Sequence, residues 1–126
     1  LPGGLTEDEG AVAARSLLAS DPRPTAVTVF NDRCATGVLD VLRRDGLRMP
    51  DDMSVVGFDD SSLARLSHVA LTTIAQDTSQ IAGLAVAQAV ARVENTPAGD
   101  REQVIPPRLV TRSTSGVRPS TSHRPR

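Results

Sequence analysis

Two places in the chain set a carboxylate or an amide directly behind an aromatic ring: Phe30-Asn31-Asp32 and Phe58-Asp59-Asp60. These are the only two aromatic residues in the sequence. Each closes an apolar, β-branched run, one over 25–30 and the other over 53–58. If both runs are neighbouring parallel strands, Asn31 and Asp59 arrive at the same rim. An amide both donates and accepts, and an ionised carboxylate accepts several hydrogen bonds, so together they can hold vicinal hydroxyls. Hydrogen bonds to a charged acceptor contribute about 1.5–3 kcal/mol each. That chemistry suits a sugar or another polyol. For Asp32 and Asp60 the plainer reading is a helix cap and a turn former.

Catalytic constellations find less support. His68 and His123 are the only histidines, and they stand far apart. No Gly-x-Ser-x-Gly elbow is present. One cysteine and two distant histidines do not compose a zinc set, and the glycines form no phosphate-cradling run. Acidic residues at strand ends would also suit a magnesium-binding phosphoacceptor, but that chemistry wants a rim lysine and the chain has none. The expectation is a protein that is not an enzyme and needs no metal or cofactor. A net charge of −1 gives no global field toward nucleic acid or acidic lipid. No window approaches the ~18 apolar residues of a membrane span. The single cysteine, Cys34, excludes an internal disulfide and suits a reducing, cytoplasmic compartment.

The elements that would position the rim follow from periodicity and punctuation. Thr6 and Glu9 make a capping box for a first helix, which Pro22 and Pro24 bring to an end near Ser20. The run at 25–30 reads as a buried strand. Asp32 is expected to cap a helix over 33–45 that Gly46 closes. The run at 53–58 reads as a second buried strand, and 71–75 as a short third one. A long helix is expected over 78–93, ended by Asn95-Thr96-Pro97-Ala98-Gly99. Residues 103–105 and 109–111 read as short strands around Pro106-Pro107. From Gly116 onward Pro, Ser, Thr and Arg dominate, so 116–126 is expected to be a disordered tail. Alternation of helix and strand implies an α/β fold: right-handed crossovers and a parallel sheet with helices on both faces. Ligands bind such sheets beyond the carboxyl ends of the strands, where Asp59 stands.

A wider set of residues carries a resemblance. Pro24-Thr25-Ala26, Asn31-Asp32-x-x-Ala35-x-Gly37, Gly46-x-x-x-Pro50, Ser54-Val55-Val56-Gly57-Phe58-Asp59-Asp60, Leu71-Thr72-Thr73-Ile74-x-Gln76 and Leu109-Val110-x-Arg112-Ser113-Thr114 occur in that order. Each alone is weak; the ordered series resembles the effector-binding core of the LacI/GalR family of bacterial transcriptional regulators, over about residues 3 to 115. The resemblance implies part of a type I periplasmic-binding-protein-like fold, with an effector-binding domain over 1–115. By the same resemblance the helix-turn-helix and N-terminal lobe are absent, which agrees with a chain beginning at Leu1 rather than Met. The helix from Thr78 is implied to pack on that absent lobe, beyond a crossing near Gln76-Asp77. Its apolar residues Ile81, Leu84, Val86, Val90 and Val93 point to nearly every side, as in a helix covered on more than one face.

Carried over residue by residue, Asn31 and Asp59 match sugar-binding positions and Gln76 matches a contact at the crossing. Leu5 stands where sugar-binding relatives often carry an aromatic, so stacking of a pyranose face is missing there. The expected partners are a small polar effector, a sugar foremost, a second copy of the chain, and operator DNA through the absent reading head only. In the helix after Asn31, Ala35, Leu39 and Leu42 mark one stripe; Cys34, Val38 and Val41 mark another. The second stripe is expected at a dimer interface, which the resemblance also implies, unless both are internal core. A solute-binding protein for sugar transport is the alternative on the same fold.

Overall fold

The computed structural model describes residues 1–97, 99–100 and 102–117. Its elements run α1 (Glu7–Leu18), β1 (Ala26–Thr28), α2 (Asp32–Arg44), β2 (Ser54–Phe58), β3 (Thr72–Ala75), α3 (Thr78–Val93) and β4 (Arg108–Val110). The sheet order is β1-β2-β3-β4. The first three strands are parallel, and β4 returns antiparallel to β3.

The first helix begins as its capping box requires. Thr6 Oγ1 accepts from the Glu9 N–H, while Glu9 Oε2 accepts from the Thr6 and Leu5 N–H groups. Hydrogen bonds from the Thr6 hydroxyl, then from those two amides, hold the Glu9 carboxyl below its ordinary range. α1 docks on α2 at close range through small residues. A Cβ on Gly37 would run into the Glu7 carbonyl oxygen, so only glycine fits that crossing.

Both helices feed one core. Ala14 and Leu17 of α1 meet Ala35, Val38, Leu39 and Leu42 of α2, over Met53, Val55 and Leu71 of the sheet side. The strand β2 is central and buried, as expected. The run at 25–30 is not a buried strand: β1 is an edge with alternate residues exposed, and Phe30 beyond it is 72% exposed. Burial depends on neighbours, and among the described residues β1 has a strand partner on one side only. The expectation of helices on both sheet faces is also corrected. Val56, Phe58 and Ile74, on the face away from the core, are half-buried and line a cavity. Among the described elements, no helix covers them.

Two other expectations fail. Residues 103–105 form no strand, because Pro106-Pro107 separates them from the one short ladder available at β4. The tail does not begin at Gly116, which exchanges two hydrogen bonds with Ser54; the rest of the expected tail, from 118, lies outside the described residues. Just before it, buried Thr114 ties the segment after β4 to the sheet. Its hydroxyl donates to the Val55 carbonyl and accepts from the Thr72 N–H. The helix α3 keeps the expected bounds but buries no residue. No helix among the described residues is long and apolar enough to cross a membrane.

Candidate functional site

Parallel pairing aligns Thr28 with Val56 and Val56 with Thr72, so β1, β2 and β3 leave the sheet at one edge. Phe30, Asp59 and Gln76 follow at that edge. Asp59 and Gln76 are brought together: the Gln76 amide nitrogen donates to Asp59 Oδ1 at 3.3 Å, and both side chains are exposed. They stand on a ridge between two hollows. One, of about 660 Å3, is lined by Thr28, Phe30, Val56, Phe58 and Ile74. The other, of about 450 Å3, is polar and is lined by Asp60, Arg65, Asp77, Thr78 and Arg108.

Asn31 has a different position from the one sequence reasoning emphasised. It, not Asp32, caps α2: its Oδ1 accepts from the Cys34 N–H at 2.7 Å. Its amide nitrogen donates to the Leu5 carbonyl at 3.2 Å. One N–H and one lone pair remain for a ligand. Neither hollow beside Asp59 includes it.

Asp32, freed from capping, is buried at 1% exposure. Its Oδ1 accepts from the Thr73 hydroxyl at 2.5 Å and its Oδ2 from the Ser61 N–H at 2.7 Å. These bonds satisfy a buried carboxylate that would otherwise be costly. Gly57 is required beside it, since a Cβ there would collide with the Asp32 carboxylate.

Asp60 is not merely a turn former. Its carboxylate accepts from Arg112 Nη2 at 2.6 Å and from Arg65 Nη2 at 3.0 Å. Burial pushes this carboxyl up, but the hydrogen bonds from Arg112 and then Arg65 outweigh it and hold it below its ordinary value. Arg112 is fixed in turn: its Nη1 donates to the Leu71 carbonyl and its backbone N–H to Thr72 Oγ1, both at 2.8 Å. Sequence reasoning included Arg112 only as part of the family-like series. Its pairing with Asp60 spans 52 residues, and no local signal marks it.

The stripe Cys34, Val38 and Val41 requires a correction. Cys34 and Val38 are 1% and 2% exposed within the single chain, and Val41 is half-buried against the same core. The docking of α1 on α2 consumes that face, so Cys34 and Val38 have no surface to offer a second copy.

Comparison with known proteins follows this geometry. The periplasmic binding protein-like domain family matches residues 2–115. The ribose operon repressor of Haemophilus influenzae is 36% identical over 105 residues, covering 83% of this chain and 32% of the repressor. A crystal structure of a LacI transcriptional regulator from a Rhodococcus species superposes with a TM-score of 0.85 at 50% identity, covering 94% of this chain and 43% of that one. A LacI family regulator from Enterococcus faecium with bound ribose superposes at 0.77 with 25% identity, covering 91% and 42%. The chain thus spans about a third of the length of the curated relatives it matches.

Proposed function

This chain belongs to the periplasmic binding protein-like domain family, in the form carried by LacI-family transcriptional regulators, and on that premise we propose that it is the effector-sensing part of such a regulator. The effector is a small polyol, a sugar foremost, and the role is binding rather than catalysis. One observation carries the reading: the Asp59 carboxylate and Gln76 amide meet, exposed, beyond the carboxyl ends of a parallel sheet. That is where ligands of open α/β sheets bind. The names of two similar proteins, a ribose operon repressor and a regulator with bound ribose, support a sugar.

Asp59 accepts from two hydroxyls and Gln76 donates and accepts; Asn31, which caps α2 and lines neither hollow, stands outside this contact set. Gln76 lies between the last residue of β3 and Asp77, the N-cap of α3. A ligand held there acts at the stem of α3, whose exposed apolar surface is where the rest of the regulator rests. Effector would thereby favour one arrangement of the cytoplasmic, two-fold regulator and change its grip on operator DNA through the reading head. Such coupling is typically about 1–3 kcal/mol. With Cys34 and Val38 internal, the two-fold contact uses other surface.

The test is calorimetric titration of the full-length regulator with D-ribose, D-glucose and sucrose. One of them is expected to bind, with Asp59→Ala weakening it about 10- to 150-fold, the equivalent of one charge-assisted hydrogen bond. Absence of binding by all three sinks the sugar reading. Unchanged affinity in Asp59→Ala removes this residue from the site.

A further inference from the structure

The backbone behind the rim is held in an unfavourable shape. Asp59 and Asp60 are consecutive non-glycine residues with positive φ, 110° and 51°. Such conformations are unfavourable for residues with a side chain and persist only where their surroundings over-determine them. Those surroundings can be named. The Asp59 N–H donates to the Ile74 carbonyl at 2.8 Å. The Asp60 N–H reaches Thr73 Oγ1 at 3.4 Å, and the Ser61 N–H is held by Asp32. Past the backbone, the strongest tie on the turn is the Asp60 carboxylate on Arg112.

Two arginines touch Asp60, and they are unequal. The Arg65 side chain is 64% exposed, whereas that of Arg112 is 20% exposed. An exposed pair of long side chains contributes little. Arg112 is already anchored to β3 through Leu71 and Thr72, so its guanidinium arrives pre-positioned. Arg112 lines neither hollow beside Asp59. Its direct side-chain contact with the 59–60 turn is the one to Asp60.

We infer that Arg112 is a positioning residue for the effector: by clamping Asp60 onto β3 it holds Asp59 in the backbone conformation that presents its carboxylate to the rim. The inference rests on Asp59 being an effector ligand. It makes the segment after β4 a part of the sensing apparatus although it stands outside the site.

Arg112→Met keeps the side-chain stem and deletes the guanidinium, and two readouts follow. In the chain itself, the three-bond HN–Hα coupling of Asp59 is small at its present φ. It is expected to rise toward extended-backbone values in the variant, a change that general loosening elsewhere would not produce. In the full-length regulator, affinity for whichever of D-ribose, D-glucose and sucrose binds wild type is expected to fall about tenfold, the loss associated with a charged hydrogen bond. Arg112→Lys, a single point charge, is expected to recover part of both. A folded Arg112→Met protein with wild-type coupling at Asp59, or with wild-type affinity, overturns the inference. If Asp59→Ala abolishes binding while Arg112→Met does not, the inference alone falls. If neither variant affects binding, the site itself is misassigned. Should Arg112→Met fail to fold, Asp60→Asn keeps the shape, drops the charge and is read in the same two ways.

Discussion

The helices α2 and α3 are similar in length, and α3 is the more apolar, yet they behave in opposite ways. Asp32, Cys34, Ala35, Gly37, Val38, Leu39 and Leu42 are all buried in α2. In α3 no residue is buried, and Ile81, Val86, Val90 and Val93 are exposed. The difference is in the arrangement of apolar residues, not their number. The apolar and polar residues of α2 are segregated, so one surface can satisfy it; α1 and the sheet supply that surface. The apolar residues of α3 are spread around the axis, and the described chain offers it the return segment at Asp100, Gln103 and Ile105. One half of the described chain is a completed core, and the other leaves α3 without a buried residue. The rim formed by Asp59 and Gln76 lies on the border between them.

The contrast can be broken most directly by truncating one side chain in each helix. Leu42 is fully buried in the core, so Leu42→Ala is expected to cost about 2–5 kcal/mol. Val90 is 46% exposed, and Val90→Ala is expected to fall within about 0.5 kcal/mol of wild type. Urea denaturation of the chain measures both, with the slope checked for constancy. A comparable loss from Val90→Ala would mean that α3 is covered in solution, and the contrast would dissolve.

How far the sequence revealed this border depends on the range of each interaction. Features set by a few adjacent residues were legible: the Thr6–Glu9 capping box, the buried run of β2, and the bounds of α3. Adjacent Asn31 and Asp32 both cap well, so local sequence alone does not separate them; Asp32 enters the helix and bonds Thr73 and Ser61, far away in sequence. The edge position of β1 was invisible because a strand's own residues do not state how many neighbours it has. The buried fate of Cys34 and Val38 likewise depends on α1 docking at Gly37, a contact that carries no periodic signature. Of the rim, Asp59 and Gln76 were anticipated and are adjacent in space. The layer behind them, Asp32, Thr73 and Arg112 around Asp60, was not, since its two shortest bonds join residues 41 and 52 positions apart.

That layer also sharpens the border, because it gives the completed half an outer limit that responds to pH. Asp60 has its carboxyl held below the ordinary value of 3.8 in the folded chain. A depressed carboxyl contributes stability that is fully present above its unfolded-state pKa. The contribution fades as pH falls through the lower, folded-state value. Wild type is therefore expected to exceed Asp60→Asn in stability by about 2 kcal/mol at neutral pH, the scale of a charge-assisted hydrogen bond. The gap is expected to close below pH ~4. Taking the difference between the two proteins cancels the parallel titration of Glu7 and Glu9. A gap that persists unchanged into acid would show that the ion pair contributes nothing to this limit.

The smallest effect runs in the other direction. Asp59 sits one residue beyond β2, exposed, with φ at 110°. Among the described residues, its side chain is bonded by the long 3.3 Å contact from Gln76, which is solvent-accessible and contributes little. Glycine would occupy this backbone conformation without steric strain, against a modest loss from the greater freedom of its unfolded chain. Asp59→Gly is thus expected to stabilise the chain by about 0.5–1 kcal/mol, read as a higher urea midpoint at constant slope. The same substitution is expected to remove effector binding. Stability gained where function is lost is the behaviour of a residue kept for its ligand and not for the core. A destabilised Asp59→Gly chain would instead assign Asp59 to the packed half of the molecule, and the border drawn between core and rim would have to move past it.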